Sequence, residues 1–157
     1  MKQFSAFRFA APFILATALI GAASPISAAE PSPSQPETRT MKIRLTINDQ
    51  STTATLDDNA TARDFFSMLP LTLTLEDYAS TEKIAYPPRK LSTQGAPAGV
   101  DPDVGDITYY APWGNLALFY RDFGYSSGLI RLGRFDNGVG IIQANGKLKI
   151  TIEAVNR

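Results

Sequence analysis

The sequence predicts a mainly β domain, a barrel or a sandwich, behind an export signal. Three observations carry the fold class. Apolar residues recur at every second position in most segments after residue 40, Gly, Pro, Asn and Asp clusters separate these segments at short intervals, and only one segment has helical spacing. Period-two alternation buries one face of a strand, and several short strands divided by turn residues build barrels and sandwiches.

The chain opens with Lys2 and Arg8, then an apolar run from Phe9 to Ala23 broken by Pro12, Thr17 and Gly21. A bilayer crossing needs about 20 strongly apolar residues. This run is shorter and ends in Ala and Gly. Ser24-Pro25 breaks it, and Ile26-Ser27-Ala28-Ala29 supplies the small residues that signal peptidase accepts. Residues 1–29 therefore read as a cleavable secretory signal, with cleavage after Ala29 or Ala28. No Cys follows the run and no twin-Arg pair precedes it, so neither lipid anchoring nor the twin-Arg route is expected. The expected location is the periplasm or the cell exterior, with no membrane anchor after cleavage.

Lys2 and Arg8 are the only charges before Glu30, so removing two of 15 positive groups leaves 13 against 15 negative groups, a net charge of −2. That balance excludes the basic footprint of a nucleic-acid binder. The chain has neither Cys nor His. Disulfides, thiol chemistry, Cys/His zinc sites and a Ser-His-Asp triad are thus ruled out, and no cofactor is expected. An exported chain without Cys holds its fold by core packing alone, which a domain of about 110 residues can do.

Residues 30–40, EPSPSQPETRT, form a Pro-rich linker, and the domain spans residues 41–157. Met41, Ile43, Leu45 and Ile47 alternate with polar residues as a half-buried strand. Asn48 to Ser51 is a turn, and Thr52 to Leu56 returns to make a hairpin. A short helix is expected from Thr61, with Asp64 in a capping-box position and Phe65, Phe66, Met68 and Leu69 on its apolar side, up to Pro70. Leu71, Leu73 and Leu75 define a strand, and Ile84-Ala85-Tyr86 continues the sheet. Residues 87–105 are a long Pro/Gly-rich loop, of a length that often serves function. Asp106–Ala111 and Leu116–Tyr120 pair across Pro112-Trp113-Gly114-Asn115. Leu129 to Phe135 and Lys147 to Val155 are the last strands, and pairing of the first with the last would close the sheet.

Residues 105–120, GDITYYAPWGNLALFY, with Asp122-Phe123, Tyr125-Ser126 and residues 128–133, GLIRLG, form a dense ordered motif. In this motif the chain resembles the bacterial cyclophilin-like proteins over about residues 41–155. The resemblance implies a cyclophilin-like closed eight-stranded β-barrel with one or two short helices. It also raises peptidyl-prolyl isomerisation as a possible activity. Cyclophilins polarise the prolyl peptide with a third-strand Arg and line the proline pocket with a His and a Trp. Here the third-strand region is Thr74-Leu75-Glu76-Asp77-Tyr78, Gln94-Gly95 only echoes the family's Gln-Gly segment, and no His exists. Rotation about the peptide bond faces a barrier of about 18–20 kcal/mol, and a carboxylate offers the wrong charge to lower it. No catalytic residue is carried over.

The aromatic residues of the motif are the candidate ligand-binding groups. Tyr109 and Tyr110 point to opposite faces, as do Phe119 and Tyr120, so one set fills the barrel and the other is free to line a cleft on its wall. Trp113, Tyr110, Asn115, Tyr120 and Tyr86 are the candidate binding residues, with Trp113 foremost because it sits in a turn. The expected cleft lies near this turn and the 87–104 loop. Glu76 and Asp77 point to opposite faces and do not form a carboxylate pair. Asp101, Asp103 and Asp106 lack the Gly and terminal Glu of an EF-hand loop, so no metal is expected. Arg131 and Arg134 read as outward strand charges. The first functional reading is a binding module for a small molecule or peptide; the second is a divergent prolyl isomerase, which an Arg such as Arg89 beside an apolar pocket would support.

Overall fold

The computed structural model describes residues 40–155. Ten strands appear in chain order: β1 Met41–Ile47, β2 Gln50–Leu56, β3 Leu71–Tyr78, β4 Glu82–Ala85, β5 Gly99–Val100, β6 Asp106–Tyr110, β7 Asn115–Phe119, β8 Ser126–Ser127, β9 Leu129–Phe135 and β10 Leu148–Ala154. One α-helix, α1 Ala60–Ser67, and one 3-10 turn, Gly140–Ile142, complete them. Eight strands close into an antiparallel barrel in the order β1-β10-β3-β4-β7-β6-β9-β2. Strands β5 and β8 pair separately with each other. Residues 1–29, read above as an export signal, and nearly all of the expected linker lie outside the described residues.

The barrel interior follows from alternation. Ile43, Leu45 and Ile47 of β1, Leu73 and Leu75 of β3, and Leu148, Ile150 and Ile152 of β10 all join one buried core. First and last strands pair as expected, with Leu45 opposite Ile152, which removes the exposed edges of an open sheet. The first hairpin is tighter than its sequence suggested. Ile47 faces Gln50 across a two-residue turn whose Asn48 and Asp49 both take positive φ, the geometry that matches strand twist and favours Asn and Asp.

Helix α1 starts one residue earlier than expected and uses a different cap. Asn59 is the N-cap, its Oδ1 accepting from the Ala62 amide at 2.8 Å. The capping-box role expected for Asp64 is not realised. Its carboxylate instead accepts two bonds from Arg89, at 2.6 and 2.8 Å, and one from the Ser92 amide at 2.7 Å. Asp64 thereby ties the helix to the start of the long loop. Ala62 and Phe65 carry the helix into the core.

Strand β9 holds a bulge. Ile107 faces Gly133 but Thr108 faces Arg131, leaving Leu132 as the extra residue. The bulge lets Ile130, Leu132 and Phe135 all reach the core while Arg131 and Arg134 stay outside. Arg131 pairs with Asp57 at 2.8 Å, and Arg134 pairs with Asp103 at 2.6 Å and Asp106 at 2.8 Å. Asp103 of the loop and Asp106 at the start of β6 are therefore held by one guanidinium.

Candidate functional site

Strand pairing determines which side chains share the outer wall. Tyr78 of β3 lies opposite Glu82 of β4, and Glu82 opposite Phe119 of β7. Ile84 lies opposite Ala117. Asn115 of β7 lies opposite Tyr110 of β6, and Tyr110 opposite Leu129 of β9. These three rows stack on one face because side chains two apart along a strand point the same way. Ala117 sits between Asn115 and Phe119 on β7, so the small residue makes a depression among larger ones. The result is a cleft of about 170 Å³.

Phe119, Ala117 and Leu129 are buried in a second apolar cluster that Ile84, Val100 and Tyr110 flank, apart from the barrel core. Trp113 and Phe123 add two half-exposed rings to the rim. The ring of Trp113 meets Tyr78 at 5.5 Å and 88°, and Tyr110 at 5.4 Å and 79°. Such edge-to-face contacts place positive ring edges on negative ring faces. Phe123 packs on Phe119 at 5.7 Å. Two glycines make this arrangement possible. Gly114 takes φ +78° and donates to the Tyr110 carbonyl at 2.8 Å, closing the turn that carries Trp113. Gly128 takes φ +79°, and a Cβ there would lie 2.9 Å from the Pro112 ring.

Two polar groups sit in this apolar wall. Glu82 is 7% exposed and lines the cleft. Burial pushes its carboxyl above the ordinary value, against the opposing effect of the Thr81 hydroxyl that donates to it. Asn115 is 2% exposed, and its amide nitrogen donates to the Leu116 carbonyl at 3.0 Å. Its Oδ1 is buried with no hydrogen-bond partner among the described residues. Among the described residues, no Lys or Arg lines the cleft.

Of the five candidate residues, the fold brings Trp113, Tyr110 and Asn115 together and leaves two out. Tyr86 is 58% exposed and does not line the cleft. Tyr120 belongs to a different cluster at the end of β4. There Lys83, with no exposed surface, donates to the carbonyls of Ala144 at 2.7 Å and Gly146 at 2.8 Å. It also pairs with Asp77 at 2.8 Å. The Tyr120 hydroxyl donates to the same Asp77 at 3.3 Å. Burial, and then the Asp77 charge, raise the Tyr120 pKa, while the hydrogen bond from Lys83 is the main cause lowering that of Asp77.

The 87–104 loop was expected at the cleft but contributes no lining residue. The 121–128 loop does so, through Phe123 and Ser126. The long loop acts at one remove: its β5 segment pairs with β8, Gly99 to Ser127, and Val100 packs on the outer cluster. Arg89, the residue that would support isomerase chemistry, is bound to Asp64 and is not among the lining residues. Glu82 and Tyr78 escaped the sequence reading. The signal that could have found them is the short stretch Ala79-Ser80-Thr81, a turn that folds β4 back and places Glu82 opposite Tyr78.

The closed eight-stranded antiparallel barrel with its single α-helix is the architecture of a cyclophilin-like fold. Residues 45–153 match the model of the Cyclophilin-like family, and the chain belongs to that family. Among solved structures, the solution structure of the hypothetical protein AF2241 from Archaeoglobus fulgidus is similar, with a TM-score of 0.55 and 19% identity. The match covers 74% of this chain and 95% of that one. At such identity the likeness speaks for the fold alone. Among curated proteins, none matches this sequence.

Proposed function

We propose that this chain is an exported binding module whose outer-wall cleft takes one small organic group, either a small molecule or a side chain of a peptide. The observation that carries this reading is the cleft between Trp113, Tyr110 and Phe119, which holds two buried polar groups in an apolar surround. Binding sites combine an apolar lining with a few placed polar atoms. The volume of about 170 Å³ is near the roughly 150 Å³ of a cavity that accepts benzene, so the occupant is a ring-sized group. Among the described residues the lining holds no Lys or Arg, so the cationic donor that cyclophilins offer the prolyl amide is missing from this cleft. Export rests on the pattern of residues 1–29, and the mature protein is expected to begin at Glu30 or Ala29 when its N-terminus is sequenced.

The test uses the mature domain in a calorimetric and chemical-shift titration against ring-sized fragments and Xaa-Pro peptides, with Trp113→Ala alongside. Binding with shifts at Tyr110 and Phe119, weakened in Trp113→Ala, is the expected result. Lack of binding by every fragment and peptide would end the reading. Accelerated prolyl isomerisation would replace it with the enzyme.

A further inference from the structure

The cleft is unbalanced in its polar chemistry. Glu82 presents a carboxyl group that is 7% exposed; the Thr81 hydroxyl donates to one of its oxygens, and among the described residues no Lys or Arg lines the cleft to pair with it. Buried acceptors are costly when they remain unpaired, because they have given up water and gained nothing. Aromatic faces carry negative potential and attract cations. The rings of Tyr78, Tyr110 and Trp113 meet nearly at right angles, so the wall offers faces as well as edges.

We infer that the cleft selects an alkylammonium group: a cation with N–H donors on an apolar body. One N–H pairs with the Glu82 carboxylate, and the charge and apolar body pack against the neighbouring rings of Tyr78, Phe119 and Trp113; Asn115 Oδ1, two rows away along β7 and without accessible surface, takes no part. A charge-assisted hydrogen bond in a partly dry site is stronger than a neutral one, so the preference is for the charged amine over its uncharged isosteres. This inference rests on the reading of the cleft as a binding site and goes beyond it by assigning the ligand's chemistry. A free amine and a lysine side chain share that chemistry.

The probes are cyclohexylammonium, cyclohexanol, cyclohexanecarboxylate and Nα-acetyl-lysine methylamide, titrated calorimetrically at neutral pH into the mature domain. The single tryptophan of the chain, Trp113, gives an independent fluorescence signal. Cyclohexylammonium is expected to bind about tenfold or more tightly than cyclohexanol, and the carboxylate weakest of the three. The lysine arm reports which source the site accepts, and tight binding of either amine supports the assignment. Glu82→Gln keeps the shape and removes the charge, so it should reduce the preference for ammonium over alcohol to about twofold. Tyr78→Leu, a second variant on a different strand, removes the ring opposite Glu82 and should weaken both amines more than cyclohexanol. Equal affinity for ammonium and alcohol, or an unchanged preference in folded Glu82→Gln, overturns the inference while leaving the binding module intact. Failure of all four probes, together with failure of the fragments and Xaa-Pro peptides, removes the binding module as well.

Discussion

Strands β1, β2, β3 and β10 bury one face, whereas β6 and β7 bury both. Along β1, buried Ile43, Leu45 and Ile47 alternate with less buried Arg44 and Thr46. Along β7 every residue from Asn115 to Phe119 is buried. The inner face of β7 fills the barrel with Leu116 and Leu118, while its outer face carries Asn115, Ala117 and Phe119. A wall buried on both sides must be covered from outside. Here the cover consists of Tyr110, Trp113, the β5–β8 pair and the 121–128 loop, and the cleft that Ala117 helps to line lies among them. The contrast teaches that filling the barrel and lining the cleft use opposite faces of the same strand, in adjacent residues.

The sharpest way to break that contrast is to cut the inner face. Leu118→Ala should destabilise by about 3 kcal/mol, from lost burial plus the cavity left behind. Lys83→Ala should cost less, about 2 kcal/mol, because Asp77, itself partly exposed, and two carbonyls lose their shared donor. Urea or guanidinium midpoints measure both, and a loss below about 1 kcal/mol for either would show that the inner face is not what holds the barrel.

Ala117→Leu probes the outer face of the neighbouring position. It fills the floor of the cleft, so fragment binding should fall at least about tenfold while stability falls by about 1 to 3 kcal/mol, the usual cost of overpacking. Retained binding would mean that the occupied space is not the one above Ala117.

Acid titration sharpens the comparison further, since it acts on the ties outside the core. The Arg89 guanidinium and the Ser92 amide hold Asp64 at about 2, below its ordinary 3.8. A depressed folded value means that the carboxylate's contribution is complete above about pH 4 and is lost as pH falls through about 2. Lys83 lowers Asp77 in the same direction. Glu82 has the opposite sign: its raised value favours the folded state when protonated, so its contribution fades as pH rises past its ordinary value of 4.5. Thermal midpoints should therefore fall from pH 4 to pH 2, and Asp64→Asn should flatten that fall.

The smallest effect belongs to the solvent side of the single-faced half. Lys147 pairs with Glu76 at 2.6 Å, but the two side chains are 72% and 50% exposed. Lys147→Ala should change stability by about 0.5 kcal/mol or less. A larger loss would mean that the β3–β10 wall is not the plain half described above.

Much of this molecule is legible in its sequence because burial on one face writes itself as period two. Met41–Ile47, Leu71–Leu75 and Leu148–Ala154 declare their strands and their inward residues. The motif around Trp113 points to the family and to three of the residues in the cleft. Local chemistry decides these features, since alternation, turn residues and the missing Cys and His act within a few positions of the chain. The rest depended on registers set between distant segments. Only the pairing of β4 with β3 and β7 places Glu82 between Tyr78 and Phe119. Only the closed barrel turns Lys83 inward to meet the carbonyls of Ala144 and Gly146, and sends Tyr120 to that cluster instead of the cleft. Side-chain partners across a sheet are selected by register and closure, and these are properties of the whole assembled chain.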